Sequence, residues 1–375
     1  MRLYRPPQGA RLILIVTQCF APDIGGIETL MTGLADAFAA AGVEIAVFAD
    51  RAHVGDAFVR SYDLRRFGAP PLIRRGMKRR AIEQETAGKA IEGVFVDSWK
   101  SVAAVPPISA PIVVFAHGME LPPDASHLKR RRIASALARA HVVIANSSFT
   151  AGLARGATRG QKTPIVVVPP PIPPQAEPDT ASLAEIDALV AGGGPVLVTV
   201  SRLVPRKGVD ATIKALPVLR RDFPGLVYLV AGSGKDFGRL RALATSRGVA
   251  DATRFLGRID EALKAALLAR ADLFVMPVRR EGRSVEGFGI AYVEAAWRGK
   301  PALAGRVGGA ADAVIDGVTG LLCNGEDDAD VQAALLRLLR DGALRARLGA
   351  AAAARARGEL TWSAALPRYR AALDL

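Results

Sequence analysis

Arg202-Leu203-Val204-Pro205-Arg206-Lys207 puts three cations into six positions, and Gly208 follows. Such charges repel one another unless solvent or an anion relieves them. Arg202 and Lys207 flank a loop that runs from the apolar stretch 196–201 into a segment with Ile213 and Leu216 at helical spacing. A strand-to-helix loop offers free N–H groups, the positive end of a helix dipole and two charge-assisted donors, which together suit a diphosphate. The plainer alternative is a solvated basic turn.

A second constellation lies in Arg283-Ser284-Val285-Glu286-Gly287-Phe288-Gly289-Ile290-Ala291-Tyr292-Val293-Glu294, just after the apolar run 272–276. Gly287 and Gly289 suit a loop that a ligand approaches closely. Helical periodicity begins at Ile290, so Glu286 sits in the loop and Glu294 about two turns along the helix. Carboxylates in those places can accept hydrogen bonds from sugar hydroxyls. Small residues at Ala291, Ala295 and Ala296 predict a closely packed helix, whose charge then faces a cleft.

Other residues carry less signal. Gly25 and Gly26 close the loop Pro22-Asp23-Ile24-Gly25-Gly26 at the carboxyl end of a strand, where parallel sheets bind ligands, although a tight turn uses glycines equally well. The GxGxxG fingerprint is missing there, which argues against a nicotinamide dehydrogenase. His117, with Gly118 beside it, follows the run 111–115, and its place at a strand end favours an active-site role over a structural one. His53, His127 and His141 show no ligand spacing, Cys19 and Cys323 stand far apart, and Asp328-Ala329-Asp330 reads as helix capping. No metal site, zinc cluster or disulfide framework is expected.

Two α/β halves are needed to position these residues. A chain of 375 residues exceeds the size that one core usually fills. Strand-like runs at 12–17, 44–49, 92–96, 111–115, 142–145 and 165–168 alternate with helical stretches; Leu30, Leu34, Ala37 and Phe38 mark a helix over 28–41 that Gly42 ends. Alternation resumes after Gly192-Gly193-Gly194, with runs at 196–201, 226–231, 253–257, 272–276, 300–304 and 320–322. The proline-rich stretch 169–182 lets neither helix nor central strand continue. The expected organisation is a first domain over 1–170, a linker over 171–194, a second domain over 195–358 and a terminal helix over 359–375. Residues 337–357 read as an ordinary surface helix.

The formal net charge of +14 is spread along the chain, with 22 basic against 17 acidic residues over 1–190 and 28 against 19 beyond. Two basic runs stand out, Arg74, Arg75, Lys78, Arg79 and Arg80, then Lys129, Arg130, Arg131 and Arg132. They are either solvated helix faces or contacts for anionic lipid headgroups. No aromatic residues interleave with them to stack bases, so nucleic acid is not an expected partner. The basic N-terminus precedes a short apolar run without a small-residue cleavage pattern, and no stretch reaches the roughly 20 apolar residues that span a bilayer. A cytoplasmic chain, at most peripheral to the inner face of the membrane, is expected.

Together these segments resemble the retaining glycosyltransferases of GT-B fold, in the large family that includes bacterial phosphatidylinositol mannosyltransferases and exopolysaccharide glycosyltransferases. The resemblance runs from Gly25-Gly26 to the terminal helix. Its most specific parts are SRLVPRKG (201–208), VAGSG (230–234), RFLGRI (254–259), EGFGIAYVE (286–294) and VGGAADAVIDGVTGLL (307–322). It implies two Rossmann-like domains facing a central cleft, with the C-terminal helix crossing back to the first. It also places Arg202 and Lys207 on the donor diphosphate, Glu286 by the transferred sugar and Glu294 on the ribose hydroxyls. His117 falls beside sugar and acceptor, Gly25 and Gly26 near the diphosphate, and the backbone at Ile259 against the base with Lys264 close by. Gly232, Gly287, Phe288 and Gly289 complete the implied donor-binding set. Family members commonly carry proline and glutamate where Ala311 and Asp312 stand, so the turn there departs from the pattern.

The implied reaction is a retaining, metal-independent hexose transfer to a lipid-linked or polysaccharide acceptor, with no cofactor beyond the nucleotide-sugar donor. Closeness of RSVEGFGIAYVEA (283–295) to mannosyltransferases puts GDP-mannose first. The alternatives are glucosyl or N-acetylhexosaminyl transfer from a UDP-sugar, a sugar-nucleotide 2-epimerase, and a non-catalytic partner subunit of transferase fold.

Overall fold

The computed structural model describes residues 12–52, 60–158 and 160–374. Residues 1–11 of the N-terminal segment weighed above as a leader, and His53, lie outside the described residues. The chain divides into two compact units, Met1–Pro173 with Trp362–Leu375, and Pro174–Thr361.

Seven parallel strands form the first unit: β1 (Leu12–Thr17), β2 (Glu44–Asp50), β3 (Asp63–Phe67), β4 (Ile91–Val96), β5 (Ile112–Ala116), β6 (Val142–Ala145) and β7 (Ile165–Val167), in the order β3-β2-β1-β4-β5-β6-β7. The sequence of β1 shows why. Its side chains alternate, so Leu12, Leu14 and Val16 join one core with Val94 and Val114, while Ile13 and Ile15 join another with Leu34 and Phe38. Burial on both faces explains why the strand reads as one apolar run: helices cover both sides of the sheet. β3 was not expected, because an edge strand that pairs only with β2 needs no such run, and Arg65 and Arg66 are half exposed.

The helix Gly26–Ala40 buries Leu30, Met31, Leu34, Ala35 and Phe38. Gly42 then turns the chain at φ 79°. The terminal helix Trp362–Ala371 belongs to this unit, with Ala365 and Tyr369 in the same core as Phe95 and Phe115. Glycines make room for it. A Cβ on Gly33 would lie 2.3 Å from the Trp362 ring, and one on Gly93 would lie 2.3 Å from Leu373.

Six parallel strands form the second unit: β8 (Val196–Val200), β9 (Val227–Ala231), β10 (Thr253–Gly257), β11 (Leu273–Met276), β12 (Ala302–Gly305) and β13 (Gly320–Cys323), in the order β10-β9-β8-β11-β12-β13. Residues 171–194 are not a continuous linker, since a helix spans Thr180–Leu189. The prolines stop at Pro178, Asp179 accepts from Ser182 N at 2.7 Å to cap the helix, and Asp187 takes both forks of Arg270.

Residues 337–357 likewise divide between two helices, Asp328–Arg340 and Gly342–Gly358, with Asp341 capping the second through Leu344 N at 2.8 Å. The second is no ordinary surface helix. It buries Leu348, Gly349, Ala352 and Ala356, and packs on the helix Ile290–Trp297. Alanine contributes little to an apolar stripe, so this buried face left no periodic signal in the sequence.

Both sheets reverse their order beside the first strand: β1 lies between β2 and β4, and β8 between β9 and β11. The connections depart in opposite directions there, which opens a ligand crevice outside the carboxyl ends of β1 and β4 in one unit and of β8 and β11 in the other.

Candidate active site

In the second unit, two loops meet at the switch point, 201–208 after β8 and 277–289 after β11. The single 3₁₀ turn Pro205–Lys207 ends at Gly208, whose φ is 72° and whose Cβ would fall 2.1 Å from Pro277 O. Only glycine lets the loops touch there.

Arg206 and Lys207 both reach Glu286 Oε2, at 2.5 and 2.6 Å, and all three side chains are largely buried. Burial alone would raise the Glu286 carboxyl, but Lys207 and Arg206 outweigh it and hold the group at about 2. Burial also draws Lys207 below its ordinary value, with Glu286 opposing and Arg206 and Arg202 adding repulsion. Arg202 is exposed on the same loop and has no ion-pair partner among the described residues. The structure thus brings Lys207 and Glu286 together, with Arg202 exposed on the same loop and near enough to repel the Lys207 charge. It also adds Arg206, which its place next to Lys207 could have signalled.

A second ionic group ties the loops. Arg279 donates through its backbone N to Arg206 O at 2.9 Å, and its guanidinium takes both oxygens of Asp210 at 2.9 and 2.8 Å. Arg239 links Asp210 to Asp236. Nothing in the spacing of these four residues marked them as partners.

The remaining residues expected on the donor side lie in the same unit. Gly232 follows β9 at φ 130°, where a Cβ would lie 1.8 Å from Ser201 O, so glycine is needed for the β8 loop to pass. Gly289 caps the helix Ile290–Trp297 at φ 98°, and Gly287 is half-buried between Glu286 and Phe288. Phe288 itself is buried at 2% exposure. Glu294 accepts from Lys264 Nζ at 2.7 Å, and Lys264 also meets Glu261 at 2.7 Å. Burial works against the Lys264 charge, yet the two glutamates raise its pKa. Ile259 lies half-buried in the turn between β10 and the helix Glu261–Arg270. The Ala311-Asp312 departure falls in the short helix Ala310–Ala313, and just before it Gly309 N donates to Glu286 O at 2.9 Å.

In the first unit, His117 follows β5 with its ring stacked on Phe115. His117 Nε2 lies 2.8 Å from Asp97 O, and its backbone N donates to Glu120 Oε1 at 2.6 Å. A carbonyl only accepts, so Nε2 carries hydrogen and donates. Asp97 is itself buried and accepts from Gln18 N at 2.7 Å and Thr17 Oγ1 at 3.2 Å; burial pushes its carboxyl up. The Glu28 carboxylate lies 2.2 Å from where a Cβ on Gly25 would stand, so the close approach at Gly25 is made by the chain's own side chain. Gly26 is exposed at the start of its helix.

Two expectations need correction. Lys78 is 3% exposed and donates to Asp50 and to Thr17 O, both at 2.6 Å, while Arg74 pairs with Asp50 at 3.0 Å. Asp50, at the carboxyl end of β2, turns both cations inward, so Lys78 is no lipid contact. The cap of the helix Asp328–Arg340 is Asp327, which accepts from Ala329 N and Asp330 N at 2.9 and 3.3 Å, whereas Asp330 accepts from Asn324 N.

A family model described as glycosyl transferases group 1 matches residues 185–355, and another, glycosyltransferase family 4, matches residues 24–176. The GDP-mannose-dependent alpha-(1-6)-phosphatidylinositol monomannoside mannosyltransferase of Mycolicibacterium smegmatis is 43% identical over 162 residues, covering 43% of this chain and 42% of that protein. The D-inositol 3-phosphate glycosyltransferase of Actinosynnema mirum is 33% identical over 252 residues, 64% of this chain and 59% of that one. The matches therefore span less than two thirds of the length of these curated relatives. Among solved structures, sucrose-phosphate synthase from Thermosynechococcus elongatus superposes with a TM-score of 0.80 at 21% identity, covering 96% of this chain and 98% of that one. An Anabaena protein crystallised with UDP and glucose gives a TM-score of 0.77 at 20% identity, over 97% and 99%. Solved neighbours that share the two parallel sheets over nearly their whole length show the GT-B fold, and two glycosyltransferase family models that between them run through both units show that this chain belongs to that large family of glycosyltransferases.

Proposed function

We propose that this chain transfers a hexose, with retention and without a divalent metal, from a nucleotide-sugar to a lipid-linked or polysaccharide acceptor, and that the donor is GDP-mannose. The observation that carries the proposal is the pairing of Lys207 with Glu286 at the β8/β11 switch point, on the loop that also carries the exposed Arg202, where open α/β sheets bind ligands. Arg202 and Lys207 stabilise the departing diphosphate, the part that a metal ion plays elsewhere. Glu286 orients the sugar, and Glu294 with Lys264 holds ribose and base. The acceptor hydroxyl attacks the anomeric carbon from the side of the leaving group. Its C–O bond forms as the bond to the diphosphate breaks, and the hydroxyl proton passes to a diphosphate oxygen. His117 positions a hydroxyl.

Mannose is favoured because relatives matched over 43% and 45% of this chain are named as GDP-mannose-dependent. Calorimetric titration of GDP and UDP tests the base; tighter binding of UDP overturns the GDP choice. Incubation of labelled GDP-mannose with phosphatidylinositol lipids tests transfer, and hydrolysis alone with every acceptor tried counts against it.

Membrane association at the inner face of the cytoplasmic membrane is part of the proposal. Lys129, Arg130, Arg131 and Arg132 are exposed beside Leu128. On the helix Pro71–Thr86, the exposed Ile73, Met77 and Arg80 share one face by their spacing, with Leu72, Arg75 and Arg79 nearby. Among the described residues, no helix is long and apolar enough to cross a membrane. Flotation with anionic vesicles that weakens as salt rises is expected; retention independent of salt contradicts the electrostatic part.

A further inference from the structure

Glu286 offers one buried carboxylate oxygen to two cations, Arg206 at 2.5 Å and Lys207 at 2.6 Å. One cation is enough to neutralise one carboxylate, so the second invites a reason. Arg206 is the better anchored. Its side chain is 7% exposed, and its carbonyl accepts from Arg279, which is itself fixed on Asp210 in the first turn of the helix Val209–Asp222. Lys207 carries its charge on a flexible stem at the end of the turn, just before Gly208.

A phosphate that meets the Lys207 ammonium competes with Oε2 for its charge and its three N–H donors, and draws it from the carboxylate. A buried carboxylate stripped of its partner is strongly disfavoured. We propose that Arg206 is a positioning residue that keeps Glu286 neutralised while Lys207 turns to the donor diphosphate, so that an ion pair is exchanged instead of broken. The inference rests on the diphosphate role proposed for this loop. Charge supports it: Arg202, Arg206 and Lys207 against Glu286 leave two positive charges, which match the two negative charges of a nucleotide-sugar diphosphate. Arg206 thus acts through Glu286 and not by touching phosphate.

The test is a double-mutant cycle on the full chain, read by calorimetric titration of GDP and of UDP. Arg206→Met weakens nucleotide binding at least about tenfold, the scale of one charged hydrogen bond, and Arg206→Lys recovers most of it. In a Glu286→Gln background the same Arg206→Met change alters affinity less than about threefold, because the carboxylate through which it acts is gone. Arg206→Gln repeats the cycle should the apolar variant fail to fold. Equal losses in both backgrounds mean direct phosphate contact and overturn the proposal, as does unchanged affinity in the Arg206→Met chain. A wild-type chain that binds neither nucleotide removes the diphosphate role itself, and the inference with it.

Discussion

Glu286→Gln keeps the side chain's shape and an acceptor oxygen but removes the charge that Arg206 and Lys207 share. Gln imitates the protonated acid, so the loss equals the site's preference for the charged over the neutral carboxyl. A fall from the ordinary 4.5 to about 2, at about 1.4 kcal/mol per pH unit, makes that preference about 3 kcal/mol. With the Glu286 side chain 12% exposed, solvent screening takes little away. The carboxyl is depressed in the fold, so the wild-type advantage is complete above pH 4.5 and is lost as pH falls towards 2. A deficit of about 3 kcal/mol at pH 7 should shrink to about 2 kcal/mol at pH 3.5. Two units need not unfold together, so a whole-chain melt is the wrong assay. Hydrogen exchange of β8 and β11 amides in mild urea reads the opening of the second unit, with β1 and β5 amides as an internal reference. A variant that matches wild type to within about 1 kcal/mol at pH 7, or whose deficit is the same at pH 3.5, refutes the shared-carboxylate account.

Gly232→Ala must place a Cβ against Ser201 O at a φ of 130°, and should cost the second unit more than about 2 kcal/mol, measured by exchange protection of its β8 and β9 amides; a change below about 0.5 kcal/mol would show that the loop yields. Gly33→Ala sets a helix-propensity gain of about 1 kcal/mol against a Cβ 2.3 Å from the Trp362 ring, and the clash should win by about 1–3 kcal/mol in exchange protection of the first unit. A stabilised variant would reverse that ranking. The Tyr369 hydroxyl is buried and has no hydrogen-bond partner among the described residues. Tyr369→Phe should therefore be neutral or stabilising by up to about 1 kcal/mol, and a clear loss of exchange protection in the first unit would reveal a partner.

Where a segment carried its own physical signal, the sequence alone was enough. Buried strands such as β1 and β8 announce themselves, because a parallel sheet covered on both faces demands uninterrupted apolar runs. The loop glycines and the cations after β8 were equally plain, since close approach and clustered charge each restrict residue choice. β3 and the alanine-rich face of Gly342–Gly358 escaped notice, because an edge strand and a small-residue contact are defined by their neighbours.

The same division runs through the candidate site. Residue types and spacing alone singled out Arg202, Lys207, Glu286 and Glu294 as candidates for ligand chemistry and pointed to two α/β halves. Only the tertiary structure decided which charges face one another: Arg206 and Lys207 on a single oxygen of Glu286, Lys264 on Glu294, Arg279 on Asp210, and Lys78 turned in to Asp50. Most of these partners are tens of residues apart along the chain. Local propensity does not act over that distance, so strand order and register had to bring them together.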